Sequence, residues 1–219
     1  AVVNYIARLG WAPKGENEIF TLEELAQEFD VAGISKSPAI FDTQKLKAIN
    51  GAYIRKLSVD EFLEKALPYI RQTCKREDID LKLLAQMLQP RTELFTDIPD
   101  QVDFIDALPD YDVEMYRHKK MKTNPENSLV SLKELLPALE AVDEGDWNLE
   151  KIHEVCFEVI GKLGVKNGVV LWPLRTAISG KQFTPGGGID LAEILGKKET
   201  IARMKDGIAR LEAVVGQEG

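Results

Sequence analysis

Ser58-Val59-Asp60-Glu61-Phe62-Leu63-Glu64-Lys65-Ala66-Leu67-Pro68-Tyr69-Ile70 decides the fold class. Ser58 and Glu61 stand three residues apart, the spacing at which a hydroxyl and a carboxylate close reciprocal hydrogen bonds over the first turn of a helix, and Leu57 and Phe62 are placed to staple across it. Behind this box Phe62, Leu63, Ala66 and Ile70 recur at the interval that gathers apolar side chains on one helix face. The same grammar extends in both directions. Thr21 and Glu24 form a second box with Phe20 and Leu25 as the staple, and Ser131 and Glu134 a third with Val130 and Leu135. Apolar stripes run through Leu22, Leu25, Ala26 and Phe29, then Leu46, Ile49, Tyr53 and Ile54 after Asp42, then Leu81, Leu84, Ala85 and Leu88. They continue through Leu132, Leu135, Leu136 and Leu139, then Leu149, Ile152, Cys156, Ile160 and Leu163, and close with Ile201, Met204, Ile208 and Leu211. Strand-like alternation is nearly absent and no repeat of fixed period appears, so the expected fold is all-α.

Composition narrows the classes. With 219 residues, 44% of them apolar, there is ample core for one large domain or two to three small ones. No apolar run of eighteen residues and no secretory signal occurs, which predicts a soluble, cytoplasmic protein with no membrane partner. The chain opens with alanine in what reads as the middle of an element, as an excised piece of a longer protein would. Cys74 and Cys156 are far apart and are accompanied only by His118 and His153, so paired-cysteine zinc chemistry is not supported and reduced thiols are expected. The formal charge is −8, unevenly spread: residues 1–146 carry 18 basic and 27 acidic side chains, the rest 10 and 9. A nonspecific nucleic-acid coat is excluded; any RNA binding would rest on shape and base contacts more than on long-range charge. Pro90, Pro99, Pro109 and Pro125 punctuate the middle, and boundaries are expected near 57 and 124, giving a helical connector (1–57), a helical bundle (58–124) and a C-terminal helical bundle (125–219).

The stretch with the most chemistry is Trp172-Pro173-Leu174-Arg175-Thr176-Ala177-Ile178-Ser179-Gly180, followed by Pro185-Gly186-Gly187-Gly188. An indole that can stack, a turn fixed by proline, a guanidinium with five donors in a planar fork and glycines that admit close backbone approach are what reading an unstacked RNA base requires. Trp172 reads equally as a core anchor between Leu171 and Leu174. Arg175, among neighbours that look buried, requires a partner, either a protein carboxylate or a ligand atom. The glycines also suit a flexible entry to a helix capped by Asp190 with Glu193 at its third position. Arg91, in Gln89-Pro90-Arg91-Thr92, either complements a helix C-terminus or reads a base. The basic run from Arg117 to Lys122 is a solvated face or a track for phosphates, and Tyr53 belongs to the core. Gly33-Ile34-Ser35-Lys36-Ser37 imitates a phosphate-holding lysine loop, but only 32 residues precede it and none builds the sheet that such a loop needs. No nucleophile set can be assembled, and paired carboxylates such as Asp60-Glu61 are explained by helix starts, so no catalytic residue is expected.

Three further stretches join this one: Asn4-Tyr5-Ile6-Ala7-Arg8-Leu9-Gly10-Trp11; Ile34-Ser35-Lys36-Ser37-Pro38-Ala39-Ile40-Phe41-Asp42 with Leu46, Asn50-Gly51 and Tyr53-Ile54-Arg55; and Ile189 to Arg210 around Leu195-Gly196-Lys197-Lys198-Glu199. Together they resemble the C-terminal part of bacterial glutamyl-tRNA synthetase, a class I aminoacyl-tRNA synthetase. The resemblance implies an anticodon-binding helical cage, with the 34–42 segment in a connector on the inner side of the tRNA. It implies that Arg175, Thr184 and Pro185 contact anticodon bases, that Trp172 stacks, and that Arg91 reads the third anticodon base, the mark of a parent that discriminates glutamate from glutamine anticodons. Gly187 falls where the family usually has a bulkier apolar residue. The parent reaction would use ATP and Mg²⁺ in an N-terminal half that this chain lacks, leaving a fragment with no cofactor, tRNA(Glu) as its partner, no DNA, and a monomeric state. The competing expectation is an all-α scaffold for another synthetase or an assembly factor, its acidic first two-thirds suiting a basic partner.

Overall fold

A computed structural model describes residues 1–36 and 39–216. Ser37 and Pro38, expected to make a turn, lie outside the described residues. Among the described residues there are eleven α-helices and no strand; the only pairing of extended backbone is two isolated bridges, Trp11 with Ile34 and His118 with Thr123. The chain divides into two compact units, residues 1–69 with 85–98, and residues 70–84 with 99–219.

The first unit holds α1 (Val2–Gly10), α2 (Leu22–Glu28), α3 (Thr43–Lys56) and parts of α4 (Val59–Thr73) and α5 (Leu81–Leu88), and ends on the first residue of the short α6 (Ile98–Val102). Two of the three boxes form as read. Glu24 N–H donates to Thr21 Oγ1 at 3.1 Å while Thr21 N–H donates to Glu24, and Ser58 and Glu61 exchange the same pair of bonds. Asp42 caps α3 through the N–H groups of Gln44 and Lys45. The α2 stripe does not bury as expected: Leu25 is in the core, while Leu22, Ala26 and Phe29 are exposed. Seven residues make only two turns, so a single apolar position suffices to seat the helix. Buried Asn4 ties the unit together, donating to Glu18 O at 2.9 Å and accepting from Phe20 N–H at 2.7 Å. The Tyr53 hydroxyl, half-buried where core was expected, donates to Phe20 O. Gln89 closes the unit by giving its side-chain amide to Ile54 O and Leu57 O at the end of α3, where Ile54 O also accepts from Leu57 N–H.

In the second unit α7 (Pro125–Glu140), α9 (Asn167–Ser179) and α11 (Lys197–Val215) pack on one another, and α10 (Gly188–Leu195) packs against α9 and α8 (Leu149–Leu163). Leu132, Leu135, Leu174, Ala177, Met204 and Leu211 are fully buried there. The sequence reading needs three corrections in this unit. Pro173 makes no turn; it lies inside α9. Nor does Ser131 start a helix, because α7 begins two turns earlier, with Asn124 and Asn127 closing the box at 2.8 and 2.9 Å. One hydrogen bond links the two sites. A proline at 173 has no N–H for the carbonyl of Val169, and Ser131 Oγ supplies the missing donor at 2.8 Å. Ser131→Ala is therefore expected to cost about 1–3 kcal/mol in urea unfolding, with a smaller cost in a Pro173→Ala background that restores the N–H. Third, α10 starts at Gly188, so Asp190 is the third-position carboxylate, accepting from Gly187 N–H at 2.8 Å, and not the cap.

Arg203, 3% exposed, binds the unit's elements from α11. Nη1 donates to Phe104 O at 2.7 Å and Ile178 O at 2.8 Å, Nη2 to Ile105 O at 3.1 Å, and Nε to Glu199 at 2.7 Å. Burial lowers the guanidinium pKa from its usual value, and the Glu199 carboxylate pulls the other way.

Candidate nucleic-acid interface

Trp172 and Arg175 stand three residues apart on α9, so their side chains share a face. The guanidinium carbon lies 4.1 Å from the indole centroid, a cation–π stack. Trp172 is half-buried: its Nε1–H donates to Met115 O at 3.1 Å, and the His118 ring sits 4.1 Å away, centroid to centroid, tilted by 50°. Its indole is thus fixed on one edge by a backbone carbonyl and supports a cation on its ring.

Arg175 finds protein partners of neither kind expected. Nη1 donates to Thr184 Oγ1 at 2.9 Å and Nη2 to Gln182 O at 3.0 Å; both acceptors are neutral. Nε is buried with no hydrogen-bond partner among the described residues, and none of their carboxylates pairs with the group. Burial pulls its pKa below the usual arginine value, yet the group keeps its charge, being far above neutrality to begin with. The result is a held, half-buried cation with one N–H on each terminal nitrogen still to give, which suits a polarised acceptor such as a base carbonyl or ring nitrogen.

The loop over this cation is pinned at several points. Lys181 Nζ donates to Asp100 O at 2.6 Å and pairs with Asp103 at 2.5 Å. Thr184 Oγ1, while accepting from Arg175, donates to Gly186 O at 2.7 Å. Gly180 ends α9 in the left-handed region at φ 60°, where a side chain would also meet the Tyr111 ring at 2.9 Å. Gly188 is buried against α9, where an added Cβ would come within 3.0 Å of Leu171 O; Gly187 is exposed and Pro185 buried. Within the second unit the structure brings Trp172, Arg175 and Thr184 into one connected group. Gln182, Phe183 and Lys181, which the sequence reading passed over, belong to the same loop; a lone aromatic between polar residues at a glycine-rich bend was the available signal.

Arg91 belongs to the first unit, on the short 3-10 turn Gln89–Arg91 that ends α5. It is exposed and its Nη1 donates to Met87 O at 3.3 Å, the geometry of an arginine complementing a helix C-terminus. The turn that carries it is held by Gln89, by Thr92 Oγ1 donating to Leu88 O at 2.8 Å, and by Asn50 donating to Glu93 O at 2.6 Å. Of the basic run, Arg117 pairs with Glu114 at 2.9 Å, and Lys119, Lys120 and Lys122 point to solvent from a tight turn closed by the His118–Thr123 bridge. The lysine-loop mimic serves the fold. Ala12 N–H donates to Gly33 O at 3.1 Å and Ser35 N–H to Gly10 O at 2.7 Å, and Gly33 lies so close under Trp11 that a Cβ would meet Nε1 at 2.7 Å. Cys74 and Cys156 are buried, and burial pushes their thiols up to about 11 and about 12, the wrong direction for a nucleophile.

The helical fold that carries this arginine and its pinned loop is matched by known families. The model described as "Anticodon binding domain" matches residues 61–208, and the chain belongs to that family. Residues 1–48 match the model described as "tRNA synthetases class I (E and Q), catalytic domain". Similar curated proteins include a "Glutamate--tRNA ligase" of Clostridium acetobutylicum, 58% identical over 212 residues, covering 97% of this chain and 43% of the relative. Another, of Clostridium tetani, is 54% identical over 217 residues, covering 99% and 44%. Among solved structures, a glutamate tRNA ligase from Elizabethkingia meningosepticum superposes with a TM-score of 0.78 at 28% identity, over 96% of this chain and 41% of that one. The chain therefore spans less than half the length of the curated relatives it matches. The scaffold alternative is not favoured by any of these likenesses.

Proposed function

We propose that this chain is the tRNA-reading part of a glutamate–tRNA ligase. The observation that carries the reading is Arg175: a guanidinium stacked on Trp172, steadied by Thr184 and Gln182, and left without a carboxylate in a chain of the anticodon-binding family. Arg175 gives hydrogen bonds to a base edge, Thr184 and the backbone of Pro185 to Gly187 add neutral ones, and Trp172 supplies the stacked surface. Arg91 is a second charged reader, for the third anticodon base. The parent's reaction joins glutamate to tRNA(Glu) with ATP and Mg²⁺. Anticodon contacts serve it by orienting the far end of the tRNA, so that their loss lowers turnover as well as affinity. The chain works as a monomer in the cytoplasm, and no helix among its described residues is long and apolar enough to cross a membrane.

The test is a titration at fixed salt with the glutamate tRNA and with a tRNA changed in its third anticodon base, for the unaltered chain and for Arg175→Ala and Arg91→Ala. The expected result is a loss of about 1–2 kcal/mol for each variant against the unaltered tRNA, and a reduced penalty for the base change with whichever arginine reads that base. Equal, weak and strongly salt-dependent binding by every pair would overturn the reading.

A further inference from the structure

We infer that Phe183 is a stacking platform for one unpaired RNA base, a contact that rests on the tRNA-reading assignment above and extends it. The residue is 82% exposed and its ring makes no aromatic contact among the described residues. An exposed phenylalanine on a loose loop would need no explanation, since such a side chain can fold down on the nearest apolar surface. Here the backbone on both sides of the ring is held. The residues on either side of Phe183 are bonded to the same guanidinium, Gln182 through its carbonyl at 3.0 Å and Thr184 through its hydroxyl at 2.9 Å. Lys181 fixes the approach to the loop on Asp100 and Asp103, and Thr184 fixes its exit on Gly186. The backbone thus arches over Arg175, and the ring stands on the outer side of the arch, facing solvent.

The size of the exposed surface selects the occupant. A protein partner needs about 800 Å² on each side, most of it contiguous, whereas one aromatic face offers on the order of 100–200 Å². In the second unit the other large apolar side chains exposed among the described residues are Val130, Phe157 and Val214, on α7, α8 and α11, and none of them belongs to this loop. A single exposed ring, on a loop whose neighbouring residues hold a cation that lacks a carboxylate, matches one flat, electronegative-edged group, a nucleobase splayed from its strand. Stacking of this kind is tolerant of sequence because every base has a π-face, while the guanidinium reads the edge. Phe183 therefore contributes affinity and Arg175 contributes selectivity.

The experiment titrates the 219-residue chain and its variants with a glutamate tRNA transcript and with a transcript altered in the anticodon. Phe183→Ala and Phe183→Leu are each expected to weaken binding about tenfold for both transcripts, leaving their affinity ratio unchanged. Phe183→Trp is expected to bind at least as tightly as the unaltered chain, because indole presents a larger face. A fluorescent 2-aminopurine in the anticodon loop should be quenched on binding the unaltered chain and the tryptophan variant, and less so with alanine. Wild-type affinity for Phe183→Ala, or for Phe183→Leu, overturns the stacking role; if Arg175→Ala still weakens binding there, the tRNA-reading assignment stands without it. No binding by the unaltered chain, or no response to Arg175→Ala, defeats that assignment and this inference together.

Discussion

Arg203→Met is expected to destabilise the second unit by about 3–5 kcal/mol, measured by urea unfolding followed through the fluorescence of Trp147 and Trp172, which both lie in that unit. The size follows from what is left behind. A buried charge can often be replaced by a hydrophobic side chain at little cost when its partners are replaced with it. Here three of the four partners are the backbone carbonyls of Phe104, Ile105 and Ile178, which no substitution removes. Each would remain buried and unsatisfied, at about 1–3 kcal/mol apiece before relaxation. Arg203→Lys is expected to recover less than half of the loss, because one ammonium nitrogen cannot meet carbonyls spread along the edge of a planar fork and still reach Glu199. A loss below about 1 kcal/mol for methionine would show that water reaches those carbonyls and that the arginine does not tie the elements together. Ile178 O belongs to the last turn of α9, next to the loop over Arg175, so the arginine also secures the base of that loop.

What could be read from the sequence was whatever is local. A hydroxyl and a carboxylate three residues apart are close in space once a helix begins, and both the Thr21 and Ser58 boxes formed on that basis. Ser131 fits the same pattern and does something else: it lies inside α7, and its hydroxyl donates to Val169 O, a carbonyl 38 positions away that Pro173 leaves without a donor and that it meets only where α7 and α9 pack. A local rule cannot see that competition. The α2 stripe failed for a related reason: periodicity says which residues share a face, while burial depends on what arrives to cover it, and Leu22 and Phe29 remain exposed. In the site, the types of chemistry were legible and their wiring was not. The need of Arg175 for a partner was deduced from its apolar neighbours, but the acceptors proved to be a hydroxyl and a carbonyl on its own loop, which leave the charge uncompensated. Phe183 stood in the sequence as a lone aromatic among polar residues before a glycine-rich bend, but the exposure that gives it meaning came only with the structure.

Gly207→Ala is expected to cost about 3 kcal/mol, a large effect for one methyl group on a helix where alanine is otherwise favoured over glycine by about 1 kcal/mol. The added Cβ would stand 2.6 Å from Tyr116 Oη and 3.0 Å from Ala177 Cβ. Neither neighbour can retreat: Ala177 is on the buried face of α9, and Tyr116 is wholly buried with its hydroxyl 2.9 Å from that of Tyr111. The burial that fixes the Tyr116 ring also raises the pKa of its phenol far above the ordinary tyrosine value, so the hydroxyl stays protonated and in place throughout the accessible pH range. Overpacking at a rigid contact must be taken up by moving α11 away from α9, which loosens contacts along both helices. The cause can be separated from general fragility by a double-mutant cycle. Tyr116→Phe removes the atom that the methyl would strike, at about 1 kcal/mol on its own because the Tyr111 hydroxyl loses its partner. If the clash with Oη is the source of the cost, Gly207→Ala and Tyr116→Phe together should cost about 1–2 kcal/mol less than the sum of the two, measured by the same urea unfolding. Strict additivity would move the blame to Ala177, and then α11 and α9, not the tyrosine pair, would set how closely the helices of this unit can approach.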